Sequence, residues 1–369
     1  MKYNLLGNSG LKVSNISIGT MNYGKGDPSQ PLFSLGVKEA KRNIDFCIAE
    51  GINFIDTSDG YAKGASEEIL GEAIKGKREN LIIASKVWNP MGDGPNDLGL
   101  SRHHIISACE ASLKRLQTDR LDVYLAHKWD GMTPIDEIAE AFDSLVRTGK
   151  VRYIGCSNFS GWHLMKALAS ADKSHRQRFV CQQIHYSLQA RDAENELIPI
   201  GISEKIGTIV WSPLAGGLLT GKFRRGESGP SGSRHFERKW KNPPIYDEEK
   251  LYDIIDVIIG ISEERSIPPS QVALAWLLSR PTVTSLTVGG RNEEQFKENI
   301  PASDLVLTDE ELDKLNVVSR PNLLYPYWHQ QFMGKERFSE ADLGLHKCCL
   351  LYTSDAADER SSEDLGGRR

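Results

Sequence analysis

The sequence lacks several features that mark membrane, secreted and nucleic-acid-binding proteins. It contains no apolar run of the roughly 20 residues that a membrane-spanning helix needs. Its polar N-terminus has no hydrophobic segment of the kind found in signal peptides. The net charge is −5 and no block of Lys and Arg stands out, so nothing indicates binding to nucleic acid. We therefore predict a cytoplasmic protein with no membrane or nucleic-acid partner.

Cysteine is scarce and unpatterned. The 369 residues include six cysteines without C-x-x-C spacing, which argues against both a disulfide framework and a zinc site. We expect reduced, mostly buried thiols and no bound metal. The six are Cys47, Cys109, Cys156, Cys181, Cys348 and Cys349.

Two familiar nucleotide-binding patterns are missing or misplaced. The sequence has no G-x-G-x-x-G motif, the fingerprint of the dinucleotide-binding Rossmann fold. Tyr124 and Lys128 do match the Tyr-x-x-x-Lys pattern of short-chain dehydrogenases. That pattern needs a helix, however, and Tyr124 lies in a predicted strand. Neither pattern therefore supports a Rossmann-type domain.

What is present is a repeated alternation of strand and helix. Turn signals bound eight strand-like runs, and amphipathic helical patterns such as 105–116, 134–150 and 192–205 lie between them. Because each return to a parallel sheet needs a crossover, this order predicts an α/β protein, and eight such units close into a (β/α)8 TIM barrel. A short N-terminal β-hairpin precedes it. The predicted strands are 15–20, 52–58, 80–86, 121–127, 151–158, 179–186, 207–213 and 283–290.

The end of the chain differs from the rest. Residues 349–359 and 364–369 resemble the conceptual translation of a sequencing adapter, and no periodicity runs through them. An ordinary disordered acidic tail is the alternative. We therefore assign 1–347 to one barrel domain and expect 348–369 to be a non-native, disordered tail.

Polar and aromatic side chains recur at the carboxyl ends of the predicted strands. Each could be structural by itself. Asp56, for example, follows an apolar run in a segment typical of a turn or a helix N-cap. In a (β/α)8 barrel, however, the active site forms at this face from residues of different strands, so their recurrence predicts an active site. The residues are Asp56, Lys86, His127, Asn158, Gln183 and Trp211.

Three of these side chains, together with Tyr61 five residues after Asp56, suit proton transfer to oxygen. A free tyrosine is too weak an acid to protonate an oxyanion readily at pH 7, and a nearby ammonium group lowers its pKa. Tyr61 beside Lys86 fits this role, with Asp56 keeping the ammonium charged. His127 can donate a hydrogen bond that orients a carbonyl oxygen. Together they predict acid–base chemistry on a C=O/C–OH couple, with the carbon half left to a hydride carrier.

These segments resemble the aldo-keto reductases over about residues 3–316. "GINFIDTSDGY" is similar to the stretch that carries the family's catalytic aspartate and tyrosine, "IIASKVW" to that of its lysine, and "VYLAHKWD" to that of its histidine. The resemblance implies the catalytic residues Asp56, Tyr61, Lys86 and His127. The branch it resembles includes potassium-channel β-subunits and bacterial general-stress reductases.

The same resemblance implies a site for NADP(H) in the loops of the barrel rim. Ser157, Asn158 and Gln183 would bind the nicotinamide carboxamide, and Trp211 would stack on the ring. Gln183 is favoured over the neighbouring glutamine by its spacing to "HYSL".

The remaining cofactor residues would contact the pyrophosphate and the adenosine end. Arg291 favours NADP(H) over NAD(H), because a guanidinium group pairs with a phosphate but gains little from a ribose hydroxyl. A solvated loop charge is the alternative interpretation of Arg291. This implied set is Ser212, Pro213, Leu214, Gly217, Lys222, Arg234, Gly289, Arg291, Gln295, Glu298 and Asn299.

We therefore expect an NADPH-dependent oxidoreductase that reduces aldehydes or ketones to alcohols, with Tyr61 as general acid. A nicotinamide-nucleotide-sensing regulatory subunit with slow turnover is the alternative. A (β/α)8 lyase or isomerase that uses the same lysine and aspartate is a third hypothesis. A homo-oligomer is left open. An apolar pocket for a small carbonyl substrate would be lined by Met21, Tyr23, Trp88 and Trp129, each of which could instead belong to core or rim packing.

Overall fold

Eight parallel strands close into a barrel in the part of the chain that the structure describes. A computed structural model describes residues 1–24, 34–227, 229–231, 233, 235, 244–330 and 337–346. Residues 344–346 are described by their backbone only. Arg234 and the tail 348–369 lie outside the described residues. The barrel closes in the order β10-β3-β4-β5-β6-β7-β8-β9. The strands are β1 (Tyr3–Leu5), β2 (Lys12–Ser14), β3 (Ile16–Gly19), β4 (Phe54–Asp56), β5 (Ile82–Val87), β6 (Leu121–Ala126), β7 (Val151–Ser157), β8 (Cys181–His185), β9 (Gly207–Trp211) and β10 (Val283–Val288).

The eight predicted barrel strands are confirmed, seven within narrower bounds and β5 ending one residue beyond its predicted end, at Val87. Parallel pairing aligns their carboxyl ends at one rim, where Asp56 of β4 pairs with Ala84 of β5 and Lys86 of β5 pairs with Leu125 of β6. The alternation of strand and helix therefore predicted the (β/α)8 class correctly. It did so because a parallel strand can return to its sheet only through a crossover.

Helices follow the strands and cover the outside of the barrel. In α4 the residues Ile138, Phe142 and Leu145 are buried, as the apolar stripe of that helix predicts. None of the described helices is long and apolar enough to cross a membrane. The helices are α1 (Val37–Ala49), α2 (Ala65–Ala73), α3 (Arg102–Leu116), α4 (Ile135–Arg147), α5 (Gly161–Lys173), α6 (Leu197–Ser203), α7 (Glu248–Arg265), α8 (Pro269–Leu278), α9 (Glu293–Asn299), α10 (Asp309–Val318), α11 (Tyr327–Gln330) and α12 (Glu340–His346).

One predicted helix, at 192–205, is divided in the structure. A 3₁₀ turn at Asp192–Glu194 comes first, and α6 begins only at Leu197. Pro199 explains the division, because a proline fits the first turn of a helix but removes a hydrogen bond from its interior. The continuous helix predicted for this segment was therefore wrong.

The N-terminal hairpin closes the barrel at the end opposite the rim. Strands β1 and β2 pair antiparallel, which confirms the predicted hairpin. Leu6 and Val13 are fully buried and pack with Phe54 and Ile209 inside the barrel. Gly7 has a φ of +59°, and a Cβ at this position would lie 2.1 Å from the carbonyl oxygen of Val180. The hairpin therefore forms the floor of the barrel, and it can pack against the barrel only if residue 7 has no side chain.

Candidate active site

Strands β4 and β5 deliver a buried ion pair to the rim. Asp56 is the last residue of β4, and Lys86 lies near the end of β5 with no exposed surface. The Nζ atom of Lys86 donates to Oδ2 of Asp56 at 2.7 Å, to the carbonyl oxygen of Thr57 at 2.8 Å and to the hydroxyl of Tyr61 at 3.2 Å. All three donor hydrogens of the ammonium group are thus directed at partners, which a buried charge requires.

Burial holds the tyrosine in its acid form despite the nearby ammonium group. Burial by itself lowers the pKa of Lys86, but Asp56 and Tyr61 outweigh it and hold that pKa above its ordinary value. Burial raises the pKa of Tyr61, and Lys86 lowers it only in part. The expected lowering by the ammonium is therefore present, but the net direction is upward. Tyr61 stays a neutral phenol that can donate a proton at neutral pH.

A glutamine from the opposite wall completes the environment of Asp56. Gln183 on β8 donates from Nε2 to Oδ1 of Asp56 at 2.7 Å, across the interior of the barrel and 127 residues away in sequence. Both carboxylate oxygens of Asp56 are therefore occupied, one by Lys86 and one by Gln183. The resemblance implied only a cofactor contact for Gln183, and the sequence contains no signal for this second bond.

His127, on the loop after β6, presents one specific nitrogen to the pocket. Its Nδ1 atom lies 3.0 Å from Nδ2 of Asn89 and 3.1 Å from Oγ of Ser58. Because an amide nitrogen can only donate, Nδ1 accepts, and the neutral ring carries its proton on Nε2. Burial, followed by the positive charges of Lys86 and Lys128, holds the pKa of His127 well below its ordinary value. The ring is therefore a neutral donor.

Tyr61 and His127 face the same space. Their rings meet edge to face with centroids 6.0 Å apart. The turn that carries Tyr61 is unusual, since Ala62 and Lys63 have φ values of 48° and 52° in the left-handed region. Strained backbone of this kind is often found at functional sites.

Sequence reasoning missed the two side chains that hold His127. Asn89 follows Lys86 by three positions at the same strand end, and Ser58 follows Asp56 by two. Asn89 also packs closely on the turn before Tyr61, because a Cβ at Gly60 would lie 2.4 Å from its Nδ2 atom. Their position at the rim is the signal that could have identified them.

The predicted nicotinamide residues lie together beside this cluster. Ser157 donates from Oγ to the carbonyl oxygen of Gln183 at 2.9 Å. Asn158 donates from Nδ2 to the carbonyl oxygen of His127 at 3.0 Å and accepts from Nε1 of Trp211 at 3.1 Å. One face of Trp211 stacks on His185, with ring centroids 4.6 Å apart. Sequence reasoning had not selected His185.

The segment after β9 forms a tight turn at the rim. Ser212 has a φ of 54°, and its Oγ accepts from the N–H of Gly216 at 3.0 Å. Gly217 has a φ of +98°, and a Cβ there would lie 3.4 Å from Nζ of Lys222. The predicted residues Pro213 and Leu214 lie in the same turn, between β9 and a 3₁₀ segment at Ala215–Thr220.

The predicted adenosine-end residues lie in α9 and in the turn before it. The backbone N–H of Arg291 donates to Oε1 of Gln295 at 2.8 Å, and the side chain of Arg291 is exposed. Glu298 accepts from Ser270 at 2.9 Å, and Oδ1 of Asn299 is buried without a hydrogen-bond partner in the described part of the chain. A missed residue, Asn22, donates from Nδ2 to the carbonyl oxygen of Gly290 at 2.7 Å. Gly289 lies on the exposed side of this turn.

The four predicted pocket residues fall in different environments. Trp88 and Trp129 lie on the loops after β5 and β6, where Nε1 of Trp88 donates to the carbonyl oxygen of Trp129 at 3.1 Å. Both are partly buried, and Trp129 stacks on His163 with ring centroids 4.1 Å apart. Met21 is also partly buried. Tyr23 is only 1% exposed and packs within the core cluster, so the structure places it as core, and its part in a pocket stays a prediction.

Comparison with known proteins agrees with the fold and with the motifs. The model of the aldo/keto reductase family matches residues 15–320. The uncharacterized oxidoreductase YrpG of Bacillus subtilis is 40% identical over 327 residues, covering 86% of this chain and 95% of that protein. A probable voltage-gated potassium channel subunit beta of Arabidopsis thaliana is 37% identical, covering 86% and 96%. Versiconal hemiacetal acetate reductase of Aspergillus parasiticus is 32% identical, covering 88% and 99%.

Proposed function

The chain belongs to the aldo/keto reductase family, and from this premise we propose that it reduces aldehydes or ketones to alcohols with NADPH. The observation that carries the proposal is the placement of one neutral acid and one neutral donor at a single point. Lys86 lies within hydrogen-bond distance of both Asp56 and Tyr61, and the ring of Tyr61 meets that of His127. A carbonyl oxygen placed between them would meet a proton source and a hydrogen-bond donor.

Each residue of the cluster has a separate task in the proposed reaction. His127 orients the carbonyl oxygen through its Nε2–H, because its Nδ1 is already occupied. Tyr61 transfers its phenolic proton to the oxygen as negative charge develops there. The ammonium of Lys86 stabilises the phenolate that remains, and Asp56 keeps the ammonium charged in a buried place.

The rim offers groups of the kind that a nicotinamide dinucleotide phosphate needs. When bound, NADPH supplies the hydride that adds to the carbonyl carbon. Asn158 and Trp211 lie beside the catalytic cluster, where they would contact the nicotinamide. At the other end, the unpartnered Oδ1 of Asn299 can accept from an adenine amino group. The exposed guanidinium of Arg291 can pair with a 2′-phosphate, which favours NADPH over NADH.

The first prediction concerns Tyr61. Tyr61→Phe keeps the ring but removes the proton donor, so we expect carbonyl reduction to fall by at least about 100-fold. The affinity for NADPH should change little, because no proposed cofactor contact is lost. Turnover is measured as loss of NADPH absorbance over a panel of carbonyl compounds, with NADH as comparison. Binding is measured by fluorescence titration.

Three outcomes of this experiment are informative. Near-normal turnover by the Tyr61→Phe variant would show that another group donates the proton. Failure of the wild-type protein to bind NADPH would contradict the proposed cofactor. Faster oxidation of NADH than of NADPH would contradict the role given to Arg291.

A second candidate function comes from the relatives named potassium channel subunit beta. Under this alternative the chain would be a regulatory subunit that binds NADPH and turns over slowly. The carbonyl panel separates the two functions. Tight binding of NADPH with negligible oxidation across the panel favours the regulatory subunit, whereas turnover that depends on Tyr61 favours the enzyme.

A further inference from the structure

A second polar pair lies behind the turn that carries Tyr61. Ser58 and Asp59 have no exposed surface. The Oγ atom of Ser58 lies 3.2 Å from Oδ1 of Asp59 on one side and 3.1 Å from Nδ1 of His127 on the other. The N–H of Gly60 also donates to this Oγ at 3.3 Å. Ser58 therefore links a buried carboxyl group to the catalytic histidine.

The surroundings of Asp59 leave its charge poorly compensated. Its Oδ2 atom has no hydrogen-bond partner in the described part of the chain. Glu67 of α2 and Arg115 of α3 face it with opposite charges. The charge of Asp59 in turn contributes to raising the pKa values of Tyr61 and Tyr124. Burial and then Glu67 raise the pKa of Asp59 to about 7, although Ser58, the Gly60 N–H and Arg115 lower it in part.

Ser58 has only one proton to donate, so its two neighbours compete for it. When Asp59 is ionised, the Ser58 hydroxyl donates to the carboxylate, so Ser58 presents a lone pair to Nδ1 of His127 and Asn89 is the remaining donor to that nitrogen. The preference for a proton on Nε2 is then weaker, because a proton on Nδ1 could donate to Ser58. When Asp59 is neutral, the carboxyl can donate to Ser58, whose hydroxyl is then free to donate to Nδ1. Nδ1 accepts from Ser58 and Asn89 together, which keeps the proton of the ring on Nε2.

We propose that Asp59, acting through Ser58, is a positioning residue that shifts the balance between the two nitrogens of His127 as sites for the ring proton. The catalytic consequence rests on the proposed function, in which the Nε2–H of His127 binds the carbonyl oxygen. Neutral Asp59 favours this donor, and ionised Asp59 weakens that preference. His127 itself stays neutral across pH 6 to 8, since its pKa is lowered well below the ordinary value.

The second prediction is therefore that kcat/KM depends on pH through the titration of Asp59, and that this dependence requires Ser58. The neutral fraction of a group with a pKa of about 7 falls from about 0.9 at pH 6 to about 0.1 at pH 8. We expect kcat/KM for carbonyl reduction to fall over this interval by up to about tenfold. Ser58→Ala cuts the link, and Asp59→Asn removes the titrating charge, so either change should flatten the profile. Ser66→Ala is the matched control, because Ser66 is an equally buried serine that bonds Thr20 and Thr57 and not His127, and the change should leave the pH dependence in place.

A readout independent of activity uses the imidazole nitrogens of the full-length, cofactor-free protein. The ¹⁵N resonances of His127 are identified by their loss in His127→Asn. They should report protonated Nε2 at pH 6 and a shift of the proton toward Nδ1 at pH 8, and Ser58→Ala should abolish that shift. An unchanged tautomer in the wild-type protein, or a shift that persists in Ser58→Ala, would overturn the inference. Absence of carbonyl reduction by the wild-type protein would contradict the proposed function alone, because the resonances would still test the link.

Discussion

Asp56 shows how much one residue depends on its partners. One carboxylate oxygen accepts from Lys86 and the other from Gln183, so the buried negative charge is fully satisfied. A buried ion pair of this kind contributes little net stability compared with apolar residues, yet breaking it is costly because one charge is left unpaired. Under the proposed function, Asp56 keeps Lys86 charged beside Tyr61.

The third prediction follows at the same scale. Lys86→Met should reduce carbonyl reduction by at least about 100-fold and destabilise the fold by about 3–5 kcal/mol, because Asp56 loses its counter-charge. The double variant Asp56→Asn/Lys86→Met should recover much of the free energy of unfolding but none of the activity. Urea denaturation and NADPH oxidation measure the two quantities separately.

The double variant distinguishes a functional pair from a structural one. If it is as unstable as Lys86→Met, the lost stability does not arise from an unpaired Asp56. If it regains activity, Lys86 is not needed to support Tyr61.

At the scale of single elements, close helix packing fixes the loop that carries Tyr61. Helix α2 begins immediately after that loop and packs on α3 through Gly71. A Cβ at Gly71 would lie 2.7 Å from the carbonyl oxygen of Arg115 and 2.8 Å from that of Leu116. Since backbone atoms cannot move aside as a flexible side chain can, glycine is required there for the approach of the two helices.

The fourth prediction compares two glycines in helices. Gly71→Ala should destabilise the protein by about 1–3 kcal/mol, because the added methyl group overpacks the contact between α2 and α3. Gly260→Ala in α7 is the matched control. No atom lies within 4 Å of its new Cβ, and the change should stabilise by up to about 1 kcal/mol through helix propensity. Opposite signs in thermal unfolding confirm the packing argument, and equal effects contradict it.

At the scale of the whole molecule, the two ends of the barrel have separate tasks. The rim gathers the polar side chains, whereas the hairpin at the floor fills the interior with apolar ones such as Leu6 and Val13. The contact between β3 and β10 closes the ring between strands more than 260 residues apart in sequence. Damage to the floor should therefore weaken the whole barrel without altering the chemistry at the rim.

The fifth prediction tests this separation. Leu6→Ala leaves a cavity in the closed interior, and we expect it to destabilise the fold by about 2–5 kcal/mol. At temperatures where the variant is folded, its Kd for NADPH and its turnover should match those of the wild-type protein. Unfolding followed by circular dichroism and by tryptophan fluorescence should give coincident transitions, because one ring of strands holds all the helices. A selective loss of turnover in folded protein would contradict the separation of tasks.

Particular residues show what could be predicted from the sequence. The position of Asp56, Lys86 and His127 at strand ends follows from local apolar patterns and turn signals, and the structure has each of them at the rim. Missed features depend on distant contacts. They include the bond of Gln183 to Asp56 and the bond of Asn89 to His127.

The sequence by itself determined the alternation of strands and helices, hence the parallel barrel, because periodicity and turn chemistry act over a few neighbouring residues. It also determined which residues end the strands. Only the tertiary structure decided the protonation states and hydrogen-bond partners of those residues. The raised pKa of Tyr61, the proton on Nε2 of His127 and the contact of Ser58 with His127 all arise from burial and from partners that closure of the barrel brings within about 3 Å.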